Sequence, residues 1–214
     1  MKAIIIAAGN AKRLGSKTKK IPKGLLNING QSIIERQINI FRKNKIKEIF
    51  IIRGPHREKF NFKEVQYIED LEYEKHDVLL SLMTAKKEFN GDLITTYSDI
   101  LFDEKILQQV IKSKVDIGIT VDLNWEEKYE NRTEHPKSQA DNVIIEKNKI
   151  KKIAKNISNI SSNQQNGEFI GIIKFSKKGS KIFTREFNKI EKKKPNSFHN
   201  AKTFEKSYLT DMVQ

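Results

Sequence analysis

Residues 3–8, Ala-Ile-Ile-Ile-Ala-Ala, are an apolar run that stops at Gly9 and opens into a small, strongly basic stretch. A short continuous apolar run closed by glycine reads as a strand buried on both faces, the kind found in parallel sheets. The stretch behind it carries Lys12, Arg13, Lys17, Lys19, Lys20 and Lys23. Backbone N–H groups approach a ligand closely where side chains are small, and cations neutralise charge, so such a loop can bind phosphate. Arg13 offers a planar fork and Lys23 a point charge, which suits different jobs on one polyphosphate. Pro22 fixes the backbone just before Lys23 and helps aim its amine. Neither G-x-x-x-x-G-K-[ST] nor G-x-G-x-x-G is present, which excludes a P-loop and the dinucleotide-binding turn. An ordinary βα loop made basic by a lysine-rich chain remains the alternative.

Strand-like and helix-like segments then alternate, which predicts an α/β fold. The expected architecture is a Rossmann-like, mainly parallel mixed sheet with helices on both faces and a small hairpin and loop region beside it. After the turn at Asn29-Gly30, residues 31–43 place Ile33, Ile34, Ile38 and Phe41 at helical spacing behind Ser32, a plausible helix start. Strands are expected at 48–52, 65–68, 93–96 and 117–121. Helices are expected from a cap at Asp77 to about Lys87 and near 104–112. Residues 122–142 are polar and irregular. A hairpin is expected over 143–153 across Lys147-Asn148, then a mobile polar loop over 154–167. A strand at 168–175, a helix near 179–191, a mobile basic stretch at 192–202 and a last helix from about Lys202 complete the reading. With 214 residues this is expected to be a single domain: a nucleotide-binding core to about 121, a substrate-side insert at 122–175 and C-terminal helices at 176–214.

Composition narrows the function classes. No apolar run approaches the ~20 residues that span a bilayer, and the N-terminus leads directly into the first strand, not into a signal peptide. The absence of cysteine removes disulfides, thiolate metal sites and cysteine nucleophiles. A cytoplasmic location is expected. The net charge of +14 is spread through nearly every segment with no arginine-rich arm, so attraction of anionic nucleotides is favoured over a nucleic-acid partner.

Four further places can carry chemistry. Asp99 follows an apolar strand, at the edge where open α/β sheets bind ligands, and there it can hold Mg²⁺ against a polyphosphate. A capping or solvated aspartate is the alternative. The segment Asp122-x-x-Trp125-x-x-x-Tyr129-x-x-Arg132-x-x-His135-Pro136 supplies a carboxylate, an aromatic wall and a cation. Arg132 suits a phosphate or phosphonate, and Trp125 or Tyr129 a substrate cation. In the other reading Trp125 plugs the core and Arg132 pairs with Glu126. Glu168 can bind an ammonium or a ribose hydroxyl, or merely sit at a strand mouth. Ser81 can meet a base or phosphate, or pack as a small core residue. His56, His76, His135 and His199 lack metal-ligand spacing, and no nucleophile elbow is visible.

The pattern A-A-G-N-A-x-R-L with P-K at 22–23 resembles the N-terminal signature of the sugar-nucleotidyltransferase-like superfamily. Ala11 stands where hexose-1-phosphate members carry a second glycine, a variant similar to the phosphonate and phosphocholine cytidylyltransferase branch, of the 2-aminoethylphosphonate cytidylyltransferase type. The D-x-x-W-x-x-x-Y-x-x-R…H-P segment resembles that branch too, and the likeness runs through about residues 2–175. It implies a CTP-dependent transferase that moves CMP onto 2-aminoethylphosphonate, 2-hydroxyethylphosphonate or phosphocholine and releases pyrophosphate. It implies a nucleotide site of Ala7, Ala8, Gly9, Asn10, Ala11, Lys12, Arg13, Lys23, Ser81 and Ser98. Arg13, Lys23 and Asp99 would be catalytic, Asp99 would hold Mg²⁺, and Asp122, Trp125, Arg132 and Glu168 would bind the acceptor. A homodimer is compatible with it. Asp77 stands where the family has an asparagine, and the second metal aspartate expected near the C-terminus is missing, which suggests a shortened chain. Asp211 is the one nearby substitute. A sugar-1-phosphate nucleotidyltransferase and a non-catalytic nucleotide-binding domain are the other readings.

Overall fold

A computed structural model describes residues 1–9, 21–133, 136–157, 160–199 and 201–214. The basic-loop residues Asn10, Ala11, Lys12 and Arg13, together with His135, lie outside the described residues. The opening apolar run forms β1 (Lys2–Ala7). Two short strands, β2 (Asn27–Ile28) and β3 (Gln31–Ser32), make a separate small hairpin before helix α1 (Ile33–Lys43). The Ser32 hydroxyl accepts from the Glu35 N–H and the Glu35 carboxylate accepts from the Ser32 N–H, a capping box that fixes where α1 starts. Next come β4 (Glu48–Arg53), β5 (Gln66–Glu69), α2 (Val78–Met83), β6 (Leu93–Tyr97), α3 (Glu104–Lys112) and β7 (Ile117–Asp122). The hairpin β8 (Asn142–Glu146) and β9 (Lys149–Ala154) precedes the long β10 (Gln165–Phe175), then α4 (Lys177–Lys193) and α5 (Leu209–Val213).

β1 lies at the centre, parallel to β4 on one side and to β6 on the other, with β5 parallel beyond β4. Its alternate residues fill two cores. Ile4, Ile6 and Ala8 pack with Leu79, Leu82, Phe183 and Leu209, under α2, α4 and α5. Ala3, Ile5 and Ala7 pack with Ile34, Ile38, Phe41 and Leu107, under α1 and α3. Burial on both faces is why residues 3–8 are uniformly apolar instead of alternating.

β10 is antiparallel and changes partners along its length. Gln165–Glu168 pair with β8, while Ile172–Phe175 pair with β6; β7 runs along its other edge. The change of partner coincides with an irregularity between Phe169 and Ile173, where Gly171 adopts φ +84°. A Cβ at Gly171 would stand 2.6 Å from the Tyr97 ring, so both the left-handed backbone and the close approach call for glycine.

Several expected boundaries move. The strand expected at 168–175 begins at Gln165, because the β8 hairpin extends the ladder into what reads as a polar loop. The helix expected to reach Lys87 ends at Met83, and a separate 3-10 turn follows at Lys86–Glu88. The last helix does not start near Lys202: a 3-10 turn at Phe204–Lys206 precedes the short α5. No helix among the described residues is long and apolar enough to cross a membrane.

Candidate functional site

The order β5-β4-β1-β6 means that the chain builds outward from β1 in one direction and then resumes on its other side. Open α/β sheets bind ligands where the strand order reverses, beyond the carboxyl ends of the strands. Here that crevice is flanked by Ala8-Gly9 after β1 and by Ser98-Asp99 after β6. The Ser98 N–H donates to the Ile6 carbonyl at 3.2 Å, which ties the two strand ends together. On the far side of β1, a Cβ on Gly54 would stand 2.6 Å from the Ala8 carbonyl oxygen, so the turn after β4 lies against the same strand end.

Lys23 enters this crevice from a 3-10 turn, Lys23–Leu25, that begins directly after Pro22. The turn seats itself through Gly24, whose missing Cβ would stand 2.6 Å from Ile34 Cδ1 and 2.9 Å from Ser98 Cβ. That contact aims Lys23 Nζ at Asp99 Oδ2, 3.2 Å away, with the side chains 24% and 41% exposed. An ion pair this exposed contributes little to stability. Both partners therefore stay available to a charged ligand.

The loop carrying Asp99 is held from below by Gln37, which sequence reading missed. Gln37 is 1% exposed. Its Nε2 donates to the Tyr97 carbonyl at 2.9 Å and the Ile100 carbonyl at 2.8 Å, and its Oε1 accepts from the Thr96 hydroxyl at 3.0 Å. The signal was present: Gln37 interrupts the apolar stripe Ile33, Ile34, Ile38, Phe41 of α1. A buried amide that meets three partners on one strand end is a fixed support. Above it, burial pushes the Tyr97 hydroxyl well above the usual phenol range, and the charges of Asp141, Asp99 and Asp77 push the same way.

The acceptor-side residues named from the sequence also come together. Asp122 and Glu168 are register partners across β7 and β10. The turn at Glu126–Tyr129 folds back so that the Tyr129 hydroxyl donates to Glu168 Oε1. Burial, and after it this bond to Glu168, pushes the Tyr129 hydroxyl upward, so it stays a donor. Asp122 accepts from Lys128 Nζ and from the Asn124 N–H at 3.0 Å. The Lys128 bond comes first among the causes that hold its carboxyl below the usual range. The Arg132 guanidinium lies 4.7 Å over the Tyr129 ring, and Glu126 pairs with Lys137 at 2.9 Å, not with Arg132. Trp125 is 2% exposed, edge-on to Tyr129, with Lys137 Nζ 5.3 Å from its ring centre. Its buried position is the one in which the indole plugs a small core.

Ser81 lies on α2, and its hydroxyl donates to Asp70 Oδ2 at 2.6 Å. Asp70, which sequence reading did not single out, is fully buried; its other oxygen accepts from the Glu72 N–H at 3.1 Å and lies 3.0 Å from His76 Nδ1. Asp77 caps α2 by accepting from the Val78 N–H at 3.0 Å. Asp211 is 2% exposed and accepts from the Tyr208 N–H at 2.8 Å, which holds its carboxyl at the start of α5. Among the described residues, no group of three or more His, Asp or Glu side chains is placed to hold a metal. Asp99 is the exposed hard-oxygen donor in the crevice, and a lone carboxylate fits Mg²⁺ that takes its other ligands from phosphates and water.

Comparisons with known proteins point the same way. The chain is 25% identical over 225 aligned residues to the CTP:phosphoglutamine cytidylyltransferase of Campylobacter jejuni, covering all of this chain and 87% of that one. It is 30% identical over 117 residues to the choline-phosphate cytidylyltransferase of Streptococcus pneumoniae, about half of each chain (53% and 51%). The solved inositol-1-phosphate CTP transferase of T. maritima shares the fold, with a TM-score of 0.72 at 17% identity over 100% of this chain and 79% of that one. The model of the MobA-like NTP transferase domain matches residues 3–127, the stretch that runs from β1 past β7. The chain belongs to the MobA-like NTP transferase domain family and is, with it, a nucleotidyltransferase.

Proposed function

We propose that this protein is a CTP-dependent cytidylyltransferase that moves CMP onto a small phosphate or phosphonate monoester and releases pyrophosphate. The observation that carries the reading is the Lys23–Asp99 pair, 3.2 Å apart at the strand-order reversal, with Arg13 and further lysines shortly before Lys23 in the sequence. The relatives' names give phosphoglutamine, choline phosphate and inositol 1-phosphate as phosphorylated acceptors, with CTP or cytidylyl transfer in each.

An acceptor oxygen attacks the α-phosphorus in line; one P–O bond forms as the bond to the β-phosphate breaks, with no covalent enzyme intermediate. Lys23 places positive charge where the departing pyrophosphate gains negative charge, and Arg13 is the further cation that the sequence offers for the same task. Gln37 keeps the Asp99 loop in register with Lys23. Asp99 would hold Mg²⁺, which supplies charge neutralisation on phosphate oxygens. Asp122, Arg132 and Glu168 shape the acceptor side, with Trp125 behind them. The sheet end thus orients two anions that repel each other in water.

Pyrophosphate release tests this directly. The protein is incubated with Mg²⁺, each of the four nucleoside triphosphates in turn, and 2-aminoethylphosphonate, 2-hydroxyethylphosphonate, phosphocholine or glucose 1-phosphate. CTP with a non-sugar acceptor is expected to give turnover. Activity only with glucose 1-phosphate would make this a sugar nucleotidyltransferase. CTP binding without turnover would leave a nucleotide-binding domain.

A further inference from the structure

Two asparagines stand on the face of the sheet that carries Glu168. In the β8–β10 ladder Asn142 opposes Glu168 and Ile144 opposes Asn166, so all four side chains share one face and the asparagines are diagonal neighbours. Both line a cavity of about 380 Å³ together with Trp125, the Glu126–Lys137 ion pair, Ser138, Asn156 and Ile157. Asn142 is 3% exposed, and its Nδ2 is buried with no hydrogen-bond partner among the described residues. Oδ1 of Asn166 is buried and unpartnered in the same way. One wall of one cavity therefore holds an unused donor and an unused acceptor. Buried amide atoms left unpaired are costly, and a guest that pairs them removes that cost.

Strand register relates the cavity wall to the crevice. β6 runs antiparallel to β10, with Thr96 opposite Ile172, so the chain beyond Tyr97 heads toward the level of Glu168 and Asn142. Its chemistry discriminates among tails. A trimethylammonium group offers neither a donor nor an acceptor, and Lys137 Nζ already lies over the indole of Trp125 that would attract such a cation.

We propose that Asn142 and Asn166 select the acceptor by its tail, and that the acceptor is a phosphate or phosphonate monoester whose tail both donates and accepts hydrogen bonds. A quaternary ammonium tail is disfavoured. This inference rests on the cytidylyltransferase reading above. The Asn142 amide donates to an oxygen of the tail, and Asn166 Oδ1 accepts from one of its N–H or O–H groups.

Steady-state pyrophosphate release with CTP and phosphoserine, phosphoethanolamine or phosphocholine tests it. The expected order is phosphoserine, which has amine and carboxylate, above phosphoethanolamine, above phosphocholine, with the outer two at least about tenfold apart in kcat/KM. Asn142→Leu and Asn166→Leu should each raise the phosphoserine KM about tenfold or more and leave the CTP KM unchanged. Asn142→Leu should also raise the melting temperature, because it replaces a buried amide whose Nδ2 is unpaired with an alkyl group of similar size. Preference for phosphocholine, an unchanged acceptor KM in both variants, or a lower melting temperature for Asn142→Leu overturns the assignment while leaving the enzyme a cytidylyltransferase. Absence of pyrophosphate with every acceptor instead removes the parent reading, and this inference with it.

Discussion

Gln37→Leu tests whether a buried amide holds the loop that presents Asp99. Leucine keeps most of the volume and leaves the Tyr97 carbonyl, the Ile100 carbonyl and the Thr96 hydroxyl without their partner. At about 1 kcal/mol net per hydrogen bond the loss is about 3 kcal/mol, and it approaches 5 kcal/mol where the carbonyls stay dry. For a chain of this size each kcal/mol moves the melting temperature by about 2–4 °C, so a fall of about 6–20 °C is expected. Thr96→Val removes only one of the bonds from a fully buried site and should cost about 1 kcal/mol. Combined in a double-mutant cycle, the two should be less than additive, because both delete the same bond. Urea unfolding gives the energies and pyrophosphate release gives the function. The activity of Gln37→Leu should drop well before the protein unfolds, since the loop loosens locally. A loss below about 1 kcal/mol with full turnover would refute the support role.

Lys23→Ala should lower turnover by about a hundredfold or more while the melting temperature changes little, because its ion pair with Asp99 is exposed; near-normal rates would count against the proposed site. Ser81→Ala takes from the buried Asp70 carboxylate its 2.6 Å hydroxyl donor and should cost about 2 kcal/mol in urea unfolding; a loss near zero would contradict that role. Burial raises the Tyr97 hydroxyl above its ordinary value of 10.0, so the unfolded chain loses that proton first as pH rises. Stability from this group is therefore complete below pH 10 and declines above it. Tyr97→Phe should flatten the alkaline fall in the urea midpoint, and an identical slope in both proteins would contradict the assignment.

Much of this architecture is readable from local patterns. The apolar run at 3–8 contains no polar position that could face water, so it had to be a central strand. Ser32 and Glu35 fix the start of α1 through two reciprocal bonds that span only three residues. Lys147-Asn148 both take positive φ, which made the hairpin visible from its turn. Errors fall where long-range pairing overrides local composition. Gln165–Gly167 read as loop because they are polar and follow a low-complexity stretch, yet β8 supplies them with a ladder partner. The expected helix at Lys202 gives way to a 3-10 turn because residues 205–207 are tied to α2: the Asp77 and Leu79 N–H groups donate to the Glu205 and Ser207 carbonyls.

The same division runs through the site. Amino-acid order alone determined a central buried strand, a glycine break, a cluster of cations and a carboxylate after a later strand, because each is a property of a few adjacent residues. Tertiary structure decided which of them meet. Strand order set β6 beside β1, Gly24 let the Lys23 turn close on Ser98, and the partner change of β10 gathered Asp122, Tyr129 and Glu168 in one place. It also gave Gln37 and Asp70 their buried partners and left one amide atom of each cavity asparagine without a partner among the described residues. Their roles come from partners, present or missing, contributed by distant parts of the chain, and no local pattern encodes a partner.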